Sequence, residues 1–275
     1  MTHAERAARF RRLHDARPLV LPNAWDAASA RVIELAGAPA VATTSAGVSW
    51  ALGRGDGQRV DRGEMIAAVR RIVAVVAVPV TADIESGYGD GTAEDVAETV
   101  RAVIEAGAVG INLEDSIGGA LLPPERQAER IRAARAAAAG AGTDLVINAR
   151  TDGYLFAVGA AGSRLEETLR RARIYRAAGA DCVFVPGVVE RETIGRLVEG
   201  IDGPLNVMAG PGAPSTAELG RLGVARVSVG PAITQAALEA TRRAAREMLE
   251  RGTYGCMEPA VPFGEANGMC VRSGT

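Results

Sequence analysis

Lysine is missing from this sequence; all 31 basic residues are arginine. Schiff-base aldol chemistry and pyridoxal phosphate catalysis both need a lysine amine, so both are excluded, and a phosphate-binding P-loop is excluded with them. Histidine is nearly missing: the two residues, His3 and His14, lie before the regular body of the chain. That argues against a Ser-His-Asp triad and against a His-ligated zinc site. The three cysteines, Cys182, Cys256 and Cys270, are scattered without metal-site spacing and point to a reducing, cytoplasmic compartment. No apolar run approaches the roughly 20 residues of a membrane span. A net charge of −2 gives no general attraction to nucleic acid or to an anionic membrane. The Arg-rich segment 1–17 lacks the apolar stretch of a secretory signal and reads as an amphipathic helix with Phe10 and Leu13 on its apolar face. The chemistry left available is that of carboxylates, arginine, tyrosine, serine, backbone amides and a hard metal.

What is present is a regular alternation. Short apolar runs occur at 19–22, 40–43, 78–82, 109–113, 145–148, 182–185, 205–207 and 226–229. Runs this short and this continuously apolar suit strands of a parallel sheet covered on both faces. Between them lie Ala/Arg/Glu-rich helical patterns, among them 92–106, 124–139, 164–178 and 216–222. Thr92 is placed to cap a helix start, and Gly107 and Gly179 follow helix ends. No Pro/Ser-rich linker divides the chain. Eight strand–helix units in 275 residues favour one (βα)8 TIM-type barrel spanning 1–275, with a C-terminal helical extension over about 232–275. The doubly wound open sheet is the rival, but Pro22-Asn23-Ala24-Trp25-Asp26 after the first strand is no Gly-rich nucleotide turn.

In such a barrel the strand ends carry the activity. After the third strand come Asp83 and Glu85, two apart on what reads as an extended segment, so both side chains should point the same way. Glu114 follows the fourth strand, a neighbour of the third. Crowded carboxylates repel unless a cation or a shared proton relieves them. With no lysine or histidine nearby, Asp83, Glu85 and Glu114 form the ligand set that Mg2+ or Mn2+ prefers. Arg150 ends the fifth strand; it can clamp a carboxylate or stabilise an enolate, or pair with Glu114 or Asp152. In the stretch Thr43-Thr44-Ser45-Ala46-Gly47 a hydroxyl and successive backbone N–H groups can nest an anion, or the stretch is a simple turn. Cys182 opens an apolar run and reads as core.

Taken together the motifs resemble those of the isocitrate lyase / phosphoenolpyruvate mutase superfamily, over about residues 15–250. The matching stretches are Pro22-Asn23-Ala24-Trp25-Asp26, Thr44-Ser45-Ala46-Gly47, Leu52-Gly53-Arg54-Gly55-Asp56, Asp83-Ile84-Glu85-Ser86-Gly87-Tyr88-Gly89, Asn112-Leu113-Glu114-Asp115 and Ala149-Arg150-Thr151-Asp152. The resemblance implies a Mg2+-dependent enzyme that acts on small 2-oxo or 2-hydroxy acids through a pyruvate-like enolate. By the same resemblance Ser45 and the amides of Ala46 and Gly47 hold the substrate carboxylate. Asp56 and Asp83 surround the metal and its water, Glu85 and Glu114 are inner or outer ligands, and Arg150 holds an oxyanion or carboxylate. One departure marks the chain as a short-gating-loop member. Lyases of the family carry a Lys-Arg-Cys-Gly-His-like loop after the fourth strand, whereas here residues 114–124 run directly into a helix without Cys, Lys or His. The family's Glu after the sixth strand is replaced by Pro186-Gly187. Tyr88, Tyr154 or a water on the metal is left to protonate an enolate. A carbon–carbon lyase of a di- or tricarboxylic acid is the first expectation. An oxaloacetate-type decarboxylase, a phosphonopyruvate mutase or hydrolase, and a 2-oxo acid binder with little turnover follow it. The helix at about 232–251 and the apolar tail after it are expected to pack on a neighbouring subunit of a homodimer or homotetramer, or over the chain's own barrel.

Overall fold

The structure, a computed structural model, describes residues 1–15 and 18–270, the side chain of Cys270 excepted. The expected tail beyond 270 and Arg17 of the N-terminal segment lie outside the described residues.

Helix α1 (His3–Leu13) opens on a capping box between Thr2 and Glu5 and buries Ala7 and Phe10, as its apolar spacing implies. Then come β1 (Leu19–Leu21), β2 (Asn23–Ala24), α2 (Ala27–Leu35), β3 (Val41–Thr43), α3 (Ser45–Ala51), α4 (Arg62–Val75), β4 (Val80–Asp83), α5 (Ala93–Glu105) and β5 (Gly110–Glu114). The second half continues with β6 (Ser116–Ile117), β7 (Ala120–Leu121), α6 (Pro124–Gly140), β8 (Val146–Arg150), α7 (Arg164–Ala177) and β9 (Cys182–Val185). It ends with α8 (Arg191–Gly200), β10 (Leu205–Met208), α9 (Thr216–Arg221), β11 (Arg226–Ser228), α10 (Ala232–Arg251) and α11 (Phe263–Cys270).

The parallel sheet runs β1-β11-β10-β9-β8-β5-β4-β3-β2. Its two ends are halves of one chain segment. β1 pairs with β11 and β2 with β3, on either side of Pro22, which has no N–H for the ladder. The sheet therefore closes on itself, and eight staves form the expected barrel. Thr92 caps α5 in a capping box with Asp95, and Gly107 and Gly179 take φ of +95° and +107°, the left-handed stops their positions call for. The N-terminal mouth is plugged by Phe10, whose ring lies 5.9 Å from the guanidinium of Arg226, a fully buried β11 residue that reaches across the barrel to Asn112.

Local structure departs from the sequence reading in three places. The stretch from Ser45 onward is not a simple turn but the first turn of α3, with Thr44 as N-cap. Residues 115–123 do not run straight into a helix: β6 and β7 form an antiparallel hairpin. Its turn, Gly118-Gly119, has φ of +59° and +82°, the type I′ signature that only glycine adopts easily. The extended segment ends at Asp83; Glu85 sits at φ +50°, so Asp83 and Glu85 do not share the alternation of a strand. The C-terminal extension divides. α10 buries only Thr234, leaving Leu238, Met248 and Leu249 exposed, while α11 returns to α2, where Arg31 Nε donates to Met269 O at 2.9 Å.

Candidate active site

A cavity of about 210 Å³ opens at the C-terminal ends of the strands. Its lining mixes polar residues, among them Asn23, Thr44, Ser45, Asp56, Asp83, Asn112, Arg150 and Ser228, with apolar ones, among them Ala46, Leu155, Phe184, Pro186, Met208 and Pro231. Larger hollows, about 620 Å³ between α5 and α6 and about 470 Å³ beside the hairpin, lie away from this carboxylate cluster.

Asp83 is the pivot. It ends β4, its N–H donates to Thr43 Oγ1 at 2.8 Å, and its Oδ2 accepts the Ser45 N–H at 3.1 Å. A carboxylate thus sits on the first turn of α3, where unpaired N–H groups and the helix dipole favour negative charge. Glu85 stands behind it: Oε2 accepts the Gln58 N–H at 2.5 Å and Oε1 accepts the Tyr88 hydroxyl at 3.3 Å. Burial, then the charges of Asp83 and Asp56, push Glu85 up to about 7. Asp56 keeps much of its surface open, yet its carboxyl lines the cavity, and desolvation and Asp83 raise it above its ordinary value. Glu114 is raised well above the carboxylate range by burial, against the pull of Arg150.

Arg150 ends β8 beside Glu114, register partners across β5 and β8. Its Nη1 pairs with Glu114 Oε2 at 2.9 Å and its Nε donates to Asp152 Oδ1 at 2.6 Å. Both ion pairs suggested by the sequence are present together. Burial opposes the charge of Arg150, but Glu114, Asp152 and Asp83 outweigh it and raise its pKa. Asp152 in turn accepts from Ser116 Oγ at 2.5 Å, and Asp115 accepts from Tyr175, Arg171 and the Asp152 N–H. The hairpin is therefore tied to the arginine that lines the cavity.

The structure brings Ser45, Ala46, Asp56, Asp83 and Arg150 onto one cavity. Gly47 sits one position further along α3, where an added Cβ would come within 2.8 Å of Thr234, Thr44 and Trp25. Glu85, Glu114 and Tyr88 stand outside the lining, and Tyr88 is buried with its hydroxyl on Glu85. Tyr154 is half-buried under Arg164, 5.6 Å from its guanidinium. Among the described residues no three acidic, histidine or cysteine side chains close around a point that could hold an ion. The donor set fits a divalent cation all the same. Four acids, Asp56, Asp83, Glu85 and Glu114, gather around one guanidinium; burial first, and the neighbouring acids after it, raise three of them, and a hard cation favours the oxygen donors they offer. Asp83 and Asp56 on the wall would hold such an ion, with Glu85 and Glu114 behind them. Residues without a signal in the sequence are Leu155, Phe184 and Met208, ordinary apolar positions; Asn112, which stood in the sequence only within a matching stretch and with no role, also lines the cavity, and its Oδ1 accepts from Asn148 and Arg226.

Comparison with known proteins agrees with this geometry. The family described as phosphoenolpyruvate phosphomutase matches residues 10–249. An uncharacterised protein of Mycobacterium tuberculosis is 36% identical over 94% of each chain. A 2-methylisocitrate lyase of Aeropyrum pernix is 31% identical over 86% of this chain and 77% of its own. A solved structure from Burkholderia cenocepacia, described as of the lyase/mutase kind, is 40% identical and superposes with a TM-score of 0.89 over 97% of this chain and 96% of its own. With the barrel, the strand-end acids and the arginine in place, the chain belongs to the phosphoenolpyruvate phosphomutase family, in the isocitrate lyase/PEP mutase superfamily, and is an enzyme of the lyase type.

Proposed function

We propose that this chain is a divalent-metal-assisted carbon–carbon lyase acting on a small 2-oxo or 2-hydroxy acid through an enolate. The carrying observation is the single cavity on which the α3 amides, Asp83 with Asp56, and Arg150 converge. A bound Mg2+ or Mn2+ would supply electron withdrawal at the substrate oxygens. The chain's own groups do the rest. The Ala46 N–H and the Ser45 hydroxyl hold a carboxylate. Arg150, fixed by Glu114 and Asp152, presents Nη2 to an oxygen that gains charge as the enolate forms. Asp56 lines the cavity beside Asp83, where the two carboxylates would together hold the ion.

The reaction has a direct signature. In D2O with Mg2+, pyruvate methyl protons should exchange in the presence of the protein, followed by NMR, because the enolate exchanges before it collapses. Binding of pyruvate without exchange would reduce the protein to an acid binder. A second reading, decarboxylation of an oxaloacetate-type acid, is favoured by the hairpin, which offers no Cys, Lys or His as a proton donor above the site. Carbon dioxide release from oxaloacetate without retro-cleavage of longer acids separates the two. We also propose a homo-oligomer in which the exposed side of α10, with Leu238, Met248 and Leu249, is covered by a second copy; a monomer in light scattering would sink this. No helix among the described residues is long and apolar enough to cross a membrane, and the scattered cysteines favour a cytoplasmic setting.

A further inference from the structure

Asn112 lies on β5, in register with Asp83 on one side and Asn148 on the other, and it lines the cavity. Its amide is held by one end. Oδ1 accepts Asn148 Nδ2 at 2.8 Å and Arg226 Nη2 at 3.2 Å, both from within the barrel. Nδ2 makes no hydrogen bond among the described residues and, unlike Asn148 Oδ1, it is not sealed from the cavity. The amide thus keeps its oxygen inward and leaves its NH2 group for the cavity.

Two amides cannot set this direction alone. Asn112 and Asn148 can exchange donor and acceptor if both side chains turn over. Arg226 breaks the tie, because a guanidinium donates and never accepts. Burial lowers Arg226 to about 10, which still leaves it charged at neutral pH. If Asn112 turned over, its NH2 group would face that charge. Arg226 is fully buried on β11, stands outside the cavity lining, and has no other side-chain hydrogen bond: Nε and Nη1 are buried without a partner among the described residues. A buried guanidinium without a carboxylate partner is costly. What it supplies that a hydrocarbon cannot is a fixed polarity at Asn112. Thr44 Oγ1, on the same cavity, is also free, but a hydroxyl rotates to donate or accept and so imposes no direction.

The direction matters because of the cation. An amide NH2 group offers a metal no lone pair, so Asn112 is no ligand for an ion on Asp83 and Asp56. It is placed to donate to an oxygen that such an ion holds. We infer that Asn112 is a substrate-contacting residue, its Nδ2 donating to an oxygen of the bound acid, and that Arg226 is the positioning residue that keeps this donor turned to the cavity. The inference rests on the metal-assisted 2-oxo acid reading proposed above and adds a neutral donor to it.

Oxalate is the probe, since like the enolate of pyruvate it offers adjacent oxygens to an ion. The whole chain is titrated calorimetrically with oxalate in the presence of Mg2+, and separately with Mn2+ alone, as the parent, Asn112→Ala, Arg226→Met and the double variant. Asn112→Ala should bind oxalate at least about tenfold more weakly and Arg226→Met about threefold more weakly, with Mn2+ affinity within about twofold of the parent's in both. The double variant should lose no more than Asn112→Ala alone, because Arg226 acts through the amide. It removes the guanidinium together with its acceptor, so it carries the test of the contact if Asn112→Ala does not fold. Unchanged oxalate affinity without the Asn112 amide overturns the contact. Losses that add in the double variant overturn the positioning role, since the charge of Arg226 would then act by itself. A parallel loss of Mn2+ affinity places the effect on the metal and overturns both. A parent that binds Mn2+ but neither oxalate nor pyruvate sinks the 2-oxo acid reading itself, and the inference with it.

Discussion

At the residue scale the site depends on arginine's shape more than its charge. Arg150 divides its donors among Glu114, Asp152 and the cavity, a division a lysine ammonium cannot reproduce. Arg150→Lys should fold but slow the Mg2+-dependent exchange of pyruvate protons by about a hundredfold; a rate within threefold of the parent would remove Arg150 from the chemistry. Gly47 is constrained by space. A Cβ there would lie 2.7 Å from Thr234 Oγ1 and Thr44 Cγ2 and 2.8 Å from Trp25 Cβ. Gly47→Ala should therefore cost about 1–3 kcal/mol in urea unfolding, through overpacking between α3 and α10. Much of the site's residue content was legible in the sequence, because charge and polarity at strand ends have few other uses. Asp83, Ser45 and Arg150 reach the cavity, and so does Asp56, which stands at no strand end and was named only by the family resemblance. Glu85 was misplaced because period-two reasoning holds only while the backbone stays extended, and here it turns left-handed. The apolar part of the lining was illegible, since Leu155, Phe184 and Met208 look like any core residue until the barrel curves them inward.

At the element scale the hairpin β6–β7 takes the place of a gating loop, and its anchor is Asp115. This fully buried carboxylate accepts from the Tyr175 hydroxyl at 2.6 Å, Arg171 Nη1 at 3.0 Å and the Asp152 N–H at 3.0 Å. The last of these links the hairpin base to the segment that orients Arg150. Tyr175→Phe removes one charge-assisted hydrogen bond from a buried anion that keeps two others. A loss of about 2 kcal/mol in unfolding free energy is expected, with the exchange rate also reduced because Asp152 loses definition. An unaltered urea midpoint would show that Asp115 does not need the phenol. The sequence did not reveal this hairpin because its strands are two residues each, too short for any periodicity.

At the scale of the whole molecule the barrel was readable because eight buried parallel strands must be apolar throughout, and few folds demand that. The break at Pro22 and the stand-off of α10 were not, being consequences of closure and of uncovered surface. The closed barrel also sets a pH response at its N-terminal end. His14 follows α1, with Nδ1 donating to Phe10 O at 2.9 Å and Nε2 buried without a partner among the described residues. Burial first, then the neighbouring charge of Arg226, lower it to about 4, with Arg11 acting in the same direction and Asp181 against it. Its ordinary value is 6.5. Above that pH the imidazole is neutral both folded and unfolded, and no stability is lost. As pH falls toward 4 the unfolded chain takes up a proton that the folded chain refuses, so stability declines, by up to roughly 3 kcal/mol, and levels off below the folded value. Urea midpoints of the parent and of His14→Gln between pH 7.5 and 4 isolate this contribution from the titrating carboxylates common to both proteins. The variant should gain on the parent as pH falls through that window; parallel curves would mean that the imidazole beneath the barrel titrates as freely in the fold as out of it.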